Sequence, residues 1–274
     1  MNLYLHVVGR RADGYHLLDS LVAFADIGDE IEVMPADRLS LTVTGPFADR
    51  VPADAGNLAL RAAEALGRAA GRVPGVAIRL AKHLPVSAGI GGGSADAAAV
   101  LRALCRLWQL DPAAPEVTAV AASLGADVPV CLAGRTAFVG GVGEHLDPAP
   151  DVSGVPLVLV NPGIGLATPD VFRACAGSFS SPARFDRPAA DPARLATLLR
   201  ARGNDLFPPA QRLVPEIGAV LAALEERPDC LLARMSGSGA TCFGLFGSAG
   251  SAGAAAAAIA AERPGWWVRT GHLL

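Results

Sequence analysis

Apolar and polar side chains alternate over Val76-Ala77-Ile78-Arg79-Leu80, a period of two that predicts a strand. From Ser94 to Leu110 the period lengthens, and Ala98, Leu101, Leu104, Cys105 and Trp108 recur at helical spacing. Between them lies Pro85-Val86-Ser87-Ala88-Gly89-Ile90-Gly91-Gly92-Gly93-Ser94. The stretch reads as strand, glycine-rich loop, helix. On the same criteria Asn2 to Val8, Leu17 to Phe24, Glu30 to Met34 and Leu39 to Val43 are strands. Asn57 to Ala70 and Pro115 to Leu124 are helices, and Val130-Cys131-Leu132 and Thr136 to Val139 are strand-like. Pro156 to Val160 is a strand that opens a second domain, and Ser178 to Pro192, rich in Pro, Ser, Arg and Asp, is a surface excursion. Leu195 to Leu199 and Val214 to Leu224 are helical, with a rigid turn at Leu206 to Pro209 between them. Leu231 to Met235 and Cys242 to Phe246 are strands around the turn Ser236-Gly237-Ser238-Gly239. Ala252 to Ala261 is a helix and Trp266 to Arg269 a last strand. Strands come in groups with helices between some of them, which predicts α+β rather than a regularly wound sheet.

The loop carries the first candidate chemistry. Gly89, Gly91, Gly92 and Gly93 have no Cβ to keep a ligand from the backbone. The N–H groups and positive dipole end of the following helix face that bare loop, an arrangement suited to phosphate. It is not a Walker A loop, since no Lys follows the glycines, nor a dinucleotide fingerprint, since Ser94 stands where the third glycine belongs. A flexible turn in an Ala/Gly-rich chain is the plain alternative. Ser94 reads as an N-cap, as a hydroxyl for phosphate or Mg²⁺, or as both. Asp127, in Gly125-Ala126-Asp127-Val128-Pro129, is a carboxylate among apolar residues. It is either a turn residue or a base for a hydroxyl attacking a γ-phosphate.

Composition narrows the setting. The 274 residues are 51% hydrophobic, enough for a sizeable core in one large domain or two modest ones. The formal charge of −3 gives no reason to expect nucleic acid. Met235 to Ala261 carries no charge, but Gly and Ser break it throughout, so no membrane span is expected. No basic region precedes an apolar core at the N-terminus, so no signal peptide is expected. Five scattered Cys suit a reducing cytoplasm, and neither they nor the dispersed His suggest a metal site. Lys82 is the sole lysine. The oligomeric state is left open.

Pro85 to Asp96 resembles the phosphate loop of the superfamily of galactokinase, homoserine kinase, mevalonate kinase and phosphomevalonate kinase. Further segments narrow the resemblance: Asn2 to Leu5, Gly9 to His16, Leu124 to Pro129, Asn204-Asp205-Leu206 and Ser236 to Ala240. Together they are similar to the branch that phosphorylates 4-diphosphocytidyl-2-C-methyl-D-erythritol in the non-mevalonate route to isoprenoids. The match covers nearly the whole chain, and Asp13-Gly14-Tyr15-His16 is its most specific part.

The resemblance implies a two-domain α+β kinase with its active site in the interdomain cleft, residues 1–153 binding ATP and carrying catalysis and 154–274 forming the second domain. It implies ATP and Mg²⁺, a small-molecule substrate carrying a cytidine diphosphate, no nucleic-acid or membrane partner, and a cytoplasmic location. Asp127 takes the role of base. Pro85, Val86, Ser87, Ala88, Gly89, Ile90, Gly91, Gly92, Gly93, Ser94 and Ala95 surround the ATP phosphates, with Asn57 and Lys82 near the adenine. Asn2, Tyr15, His16, Thr168 and Phe172 surround the substrate, the aromatic groups at its cytidine end. No metal ligand is assigned. The family also has a Pro-Ala-Lys one residue before the position of Met1, and Lys82 matches a different place. A short upstream segment carrying that Lys is therefore expected. Another small-molecule kinase of the superfamily, or a nucleotide-binding protein without turnover, are the alternatives.

Overall fold

The computed structural model describes residues 1–175, 178–187, 189 and 191–274. Leu3 to Val7 are buried in succession, so the N-terminal run is a strand covered on both faces, β1 (Asn2–Arg10). It is followed by β2 (His16–Val22), β3 (Glu30–Pro35), β4 (Ser40–Thr44), α1 (Leu58–Ala69) and β5 (Val76–Ala81). Then come α2 (Gly92–Trp108), α3 (Pro115–Leu124), α4 (Val128–Ala133), β6 (Ala137–Gly141), β7 (His145–Pro148) and β8 (Pro156–Asn161). The chain continues through α5 (Thr168–Ala174), α6 (Pro192–Arg200), α7 (Phe207–Leu213), α8 (Glu216–Glu225), β9 (Cys230–Met235), β10 (Cys242–Phe246), α9 (Ala249–Glu262) and β11 (Trp267–His272). Helices and strands are mixed and the strands grouped, the α+β class that the pattern predicts.

Two compact units interleave along the chain. The first comprises Met1–Ile27, Ser87–Ile90 and Arg135–Leu274, and the second Gly28–Val86 and Gly91–Gly134. In the first unit one sheet has the order β1-β2-β6-β7 and another the order β11-β8-β10-β9, each antiparallel throughout. Its core joins Leu5 and Val7 of β1 to Val158, Val160 and Phe246 of the second sheet and to Ile217 and Ile259 of the helices.

In the second unit the sheet has the order β3-β5-β4, with β3 antiparallel and β4 parallel to β5. Val76, Ile78 and Leu80 of β5 are buried, as the alternation predicts. Ala59, Ala62 and Ala63 of α1 and Ala97 and Ala98 of α2 are also buried. Small side chains on those faces let the two packed helices approach closely.

Three expectations are corrected. Val130-Cys131-Leu132 lies in α4, not in a strand. Pro129 sits in the first turn of that helix, where a missing N–H leaves no bond unmade, and Gly134 at φ 62° closes it. Leu206 to Pro209 is not a separate rigid turn but leads into α7, by the same use of proline. Ser94 does not cap α2: Gly91 occupies the cap at φ 71°, and the helix starts at Gly92. The helix α5, with Pro169 in its first turn, and the strand β7 carry no sequence expectation. Part of the expected excursion over Ser178 to Pro192 lies outside the described residues. Its described part is fastened to the first unit, Ser180 N–H donating to Val7 O at 2.9 Å and Ala183 N–H to Asp19 at 2.8 Å.

Candidate active site

In the second unit β5 leads toward the start of α2, a 17-residue helix whose cap, Gly91, offers no side chain to its first N–H groups. Those of Gly92, Gly93 and Ser94 precede the first intrahelical bond, which Ala95 N–H makes to Gly91 O at 2.9 Å. They form a donor-rich, positively polarised helix end. A Cβ at Gly91 would meet nothing within 4 Å, so the approach to that end is open.

Asp127 stands at the start of α4 in the same unit, and its side chain makes no cap to that helix. It remains accessible to solvent, yet the dense protein around its carboxyl pushes its pKa above the usual carboxylate range. The helix that carries it is anchored to α2: Arg102 donates to Cys131 O at 2.7 Å, at the carbonyl end of α4. A carboxylate that is not spent on capping, on a helix fixed to its neighbour, is equipped to take a proton.

Lys82 and Asn57 are both engaged within this unit. Lys82 is buried with its Nζ 2.6 Å from Asp29 and 2.7 Å from Asp96. Burial raises the Asp96 carboxyl to about 6 despite the Lys82 charge beside it. Asn57 caps α1 by accepting from Ala59 N–H at 2.8 Å and donates to Pro52 O at 2.8 Å.

The first unit gathers the remaining residues in two groups. Ser87, Ala88 and Gly89 belong to it: Leu166 N–H donates to Ser87 O, Thr241 N–H to Ala88 O, and Ser236 Oγ to Gly89 O. Ser236 Oγ also accepts from Asn2 N–H at 3.1 Å, and Asn2 Nδ2 donates to Ser20 Oγ at 2.9 Å. Thr168 Oγ1 shares a hydrogen bond of 2.8 Å with Ser238. In the second group His16 stacks on Phe172, ring centroids 5.2 Å apart and planes 28° from parallel. Burial first, and then Arg10, lower the His16 pKa, so the ring is neutral at neutral pH. Tyr15 beside it is 65% exposed, an aromatic face left to solvent. Pro85 and Val86 belong to the second unit, as do Gly91 to Ala95.

Residues 57–135 match the family model for the N-terminal domain of GHMP kinases, and residues 187–264 match the model for their C-terminal domain. A 4-diphosphocytidyl-2-C-methyl-D-erythritol kinase of Paramagnetospirillum magneticum is 56% identical over all of this chain and 96% of its own length. One of Cereibacter sphaeroides is 53% identical with the same coverage. The chain belongs to the 4-diphosphocytidyl-2-C-methyl-D-erythritol kinase family of GHMP kinases. A crystal structure of a 4-(cytidine 5'-diphospho)-2C-methyl-D-erythritol kinase superposes with a TM-score of 0.75 at 39% identity, covering 99% of this chain and 96% of that one. A homoserine kinase from Cytophaga hutchinsonii, 18% identical, shares the fold with a TM-score of 0.71 over 93% of this chain and 88% of that one.

As a member of the GHMP kinases the chain is an ATP-dependent kinase. Among its described residues no helix is long and apolar enough to cross a membrane. The sequence alone assigns no role to Asp29, Asp96, Ser20 or Asn204. Asn204 donates to both Met235 O and Gly237 O at 2.8 Å and so shapes the turn that carries Ser236 and Ser238. Asp96 and Asn204 stand in segments that carry the family resemblance, whereas nothing near Asp29 in sequence signals its partners.

Proposed function

We propose that this kinase transfers the γ-phosphoryl group of ATP to the 2-hydroxyl of 4-diphosphocytidyl-2-C-methyl-D-erythritol, a step toward isoprenoids. The observation that carries the reading is the uncapped, glycine-led N-terminus of α2. The N–H groups of Gly92, Gly93 and Ser94 receive the phosphates there, and the dipole of α2 favours their charge. Pro85 to Ile90 supply the loop leading to them. Magnesium enters with the nucleotide as part of that substrate. Among the described residues no group of three or more His, Cys, Asp or Glu is placed to hold a metal ion. The Ser94 hydroxyl suits the metal-bound phosphates.

Asp127 orients the 2-hydroxyl and takes its proton. The hydroxyl oxygen forms a bond to the γ-phosphorus, the bond from that phosphorus to the β,γ-bridging oxygen breaks, and ADP leaves. The raised Asp127 pKa makes the carboxylate a stronger base than a solvated one, which helps proton removal as long as the pH stays above it. Tyr15, His16 and Phe172 receive the cytosine. Flat aromatic faces supply stacking, and a neutral imidazole supplies one donor and one acceptor for the base edge. Asn2 and Thr168 supply polar contacts to the sugar alcohol or diphosphate. Asn57 and Lys82 lie near the adenine through the backbone around them, since their side chains are engaged elsewhere. Residues 1–153 provide ATP binding and catalysis and 154–274 the second domain, a division of labour along the sequence that the compact units cut differently. The reaction runs in the cytoplasm.

The test is ATP-dependent phosphorylation of 4-diphosphocytidyl-2-C-methyl-D-erythritol, followed by ³¹P NMR of the product. A new phosphomonoester on the erythritol moiety supports the assignment. Turnover of a different alcohol with Tyr15, His16 and Phe172 dispensable points to another GHMP kinase. ATP binding without transfer to any alcohol makes the chain a binding protein.

A further inference from the structure

One carboxylate has no role in the chemistry above and stands at the base of α2. Asp29, immediately before β3, has a side chain only 2% exposed. Its Oδ1 accepts from His83 N–H at 2.6 Å and from Leu84 N–H at 2.9 Å, the two residues that run into Pro85. Its Oδ2 accepts from Lys82 Nζ at 2.6 Å. Lys82 Nζ in turn donates to Asp96 in α2 at 2.7 Å. A Cβ built on Gly92, the first residue of α2, would stand 3.4 Å from Lys82 Nζ and 3.7 Å from Asp29 Oδ2. All of these residues lie in the second unit.

The cluster spans the two ends of the phosphate loop. The chain leaves it at Leu84 and re-enters it at Gly92, and the glycines between offer little stiffness of their own. Something else must set the spacing of strand exit and helix entry. Charge-assisted hydrogen bonds are short, directional and about twice as strong as neutral ones. A buried ion cluster is a poor device for stability alone, because packed apolar side chains of the same volume often serve as well or better. It is a good device for fixing geometry. We infer that Asp29 is a positioning residue for the nucleotide: joined to Asp96 through Lys82, it clamps the two ends of the loop so that the N–H groups of Gly92, Gly93 and Ser94 are aimed at ATP. The clamp rests on the reading that ATP binds at the start of α2.

The test compares wild type, Asp29→Asn and Asp96→Ala, measuring ATP affinity by calorimetry and KM for each substrate in the kinase assay. Asp29→Asn turns an amide N–H₂ or a lone acceptor toward Lys82 and the loop. It is expected to weaken ATP binding and raise the ATP KM about tenfold. The KM of the cytidyl substrate is expected to stay within about twofold, a split that general loosening of the fold would not give. Asp96→Ala frees the helix end alone and is expected to weaken ATP about threefold. A folded Asp29→Asn that binds ATP like wild type overturns the clamp, and so does an equal rise in both KM values. If Asp29→Asn does not fold, Asp96→Ala decides, and unchanged ATP affinity there overturns the proposal. Wild type that binds ATP without transferring phosphate refutes the kinase reading, while the binding comparison still decides the clamp. Wild type that does not bind ATP overturns both.

Discussion

Gly89 and Gly91 make a matched pair for measuring what holds the phosphate loop. Both have a left-handed backbone, at φ 72° and 71°. Their surroundings differ. A Cβ at Gly89 would stand 2.5 Å from both the N and O of Gly239 and 2.7 Å from Ser236 O, all backbone atoms of the same unit. A Cβ at Gly91 would meet nothing within 4 Å. Gly91→Ala therefore carries only the left-handed penalty, about 1–2 kcal/mol. Gly89→Ala carries that penalty and an overpacking cost of about 1–3 kcal/mol, because backbone rather than a flexible side chain must give way. The expected gap between the two variants is about 2 kcal/mol. With an m-value near 2–3 kcal/mol/M in urea, that is a midpoint lower by about 0.7–1 M for Gly89→Ala than for Gly91→Ala. The assay is urea unfolding followed by tryptophan fluorescence, with m compared to confirm a shared transition. Equal midpoints, or a lower one for Gly91→Ala, would refute the backbone wall around Gly89.

Asp127→Asn should lower kcat by about 10²–10⁴-fold with ATP affinity kept, as calorimetry beside steady-state kinetics would show. In wild type kcat/KM should fall as pH drops through the raised Asp127 pKa, so the acid limb should lie above the ordinary carboxylate value of about 3.9; a limb at that value counts against Asp127 as the base. Lys82→Met leaves two buried carboxylates without their shared cation and should cost about 3–5 kcal/mol in urea unfolding at pH 8. The loss should shrink toward pH 5, since protonating Asp96, whose pKa is raised to about 6, removes one of the two charges. Phe172→Ala removes the ring on which His16 stacks and should raise the KM of the cytidyl substrate while leaving that of ATP unchanged. For the same substrate KM should rise as pH falls through the His16 pKa, which lies below the ordinary 6.5, because the ring gains a charge and loses its acceptor.

Elements whose period is unbroken could be read from the residues alone. The alternation of β5, the helical spacing of α2 and the glycine run between them were all legible, because side-chain burial follows the backbone period within a single element. So was the α+β class. The motif residues were also legible, since glycines and a carboxylate in an apolar setting are chemical signals that need no partner to be noticed. Three short helices with proline in the first turn, α4, α5 and α7, were not, although α3, which also opens on proline, was. Pro129 precedes an expected strand, Pro208 stands in an expected rigid turn and Pro169 carries no expectation, yet each lies in the first turn of a helix, where the missing N–H is harmless. Pairing over long separations emerges only once the chain is folded. The sheet β1-β2-β6-β7 joins Ser20 to Val139, and the turn at Ser236 holds both Asn2 and Gly89. The partners of Asp29 lie 53 to 67 positions further on in the chain, at Lys82, His83, Leu84 and, through Lys82, Asp96. A carboxylate in sequence carries a charge but no address. Its partners are chosen when the sheet β3-β5-β4 and α2 pack together and exclude the water that would otherwise solvate it.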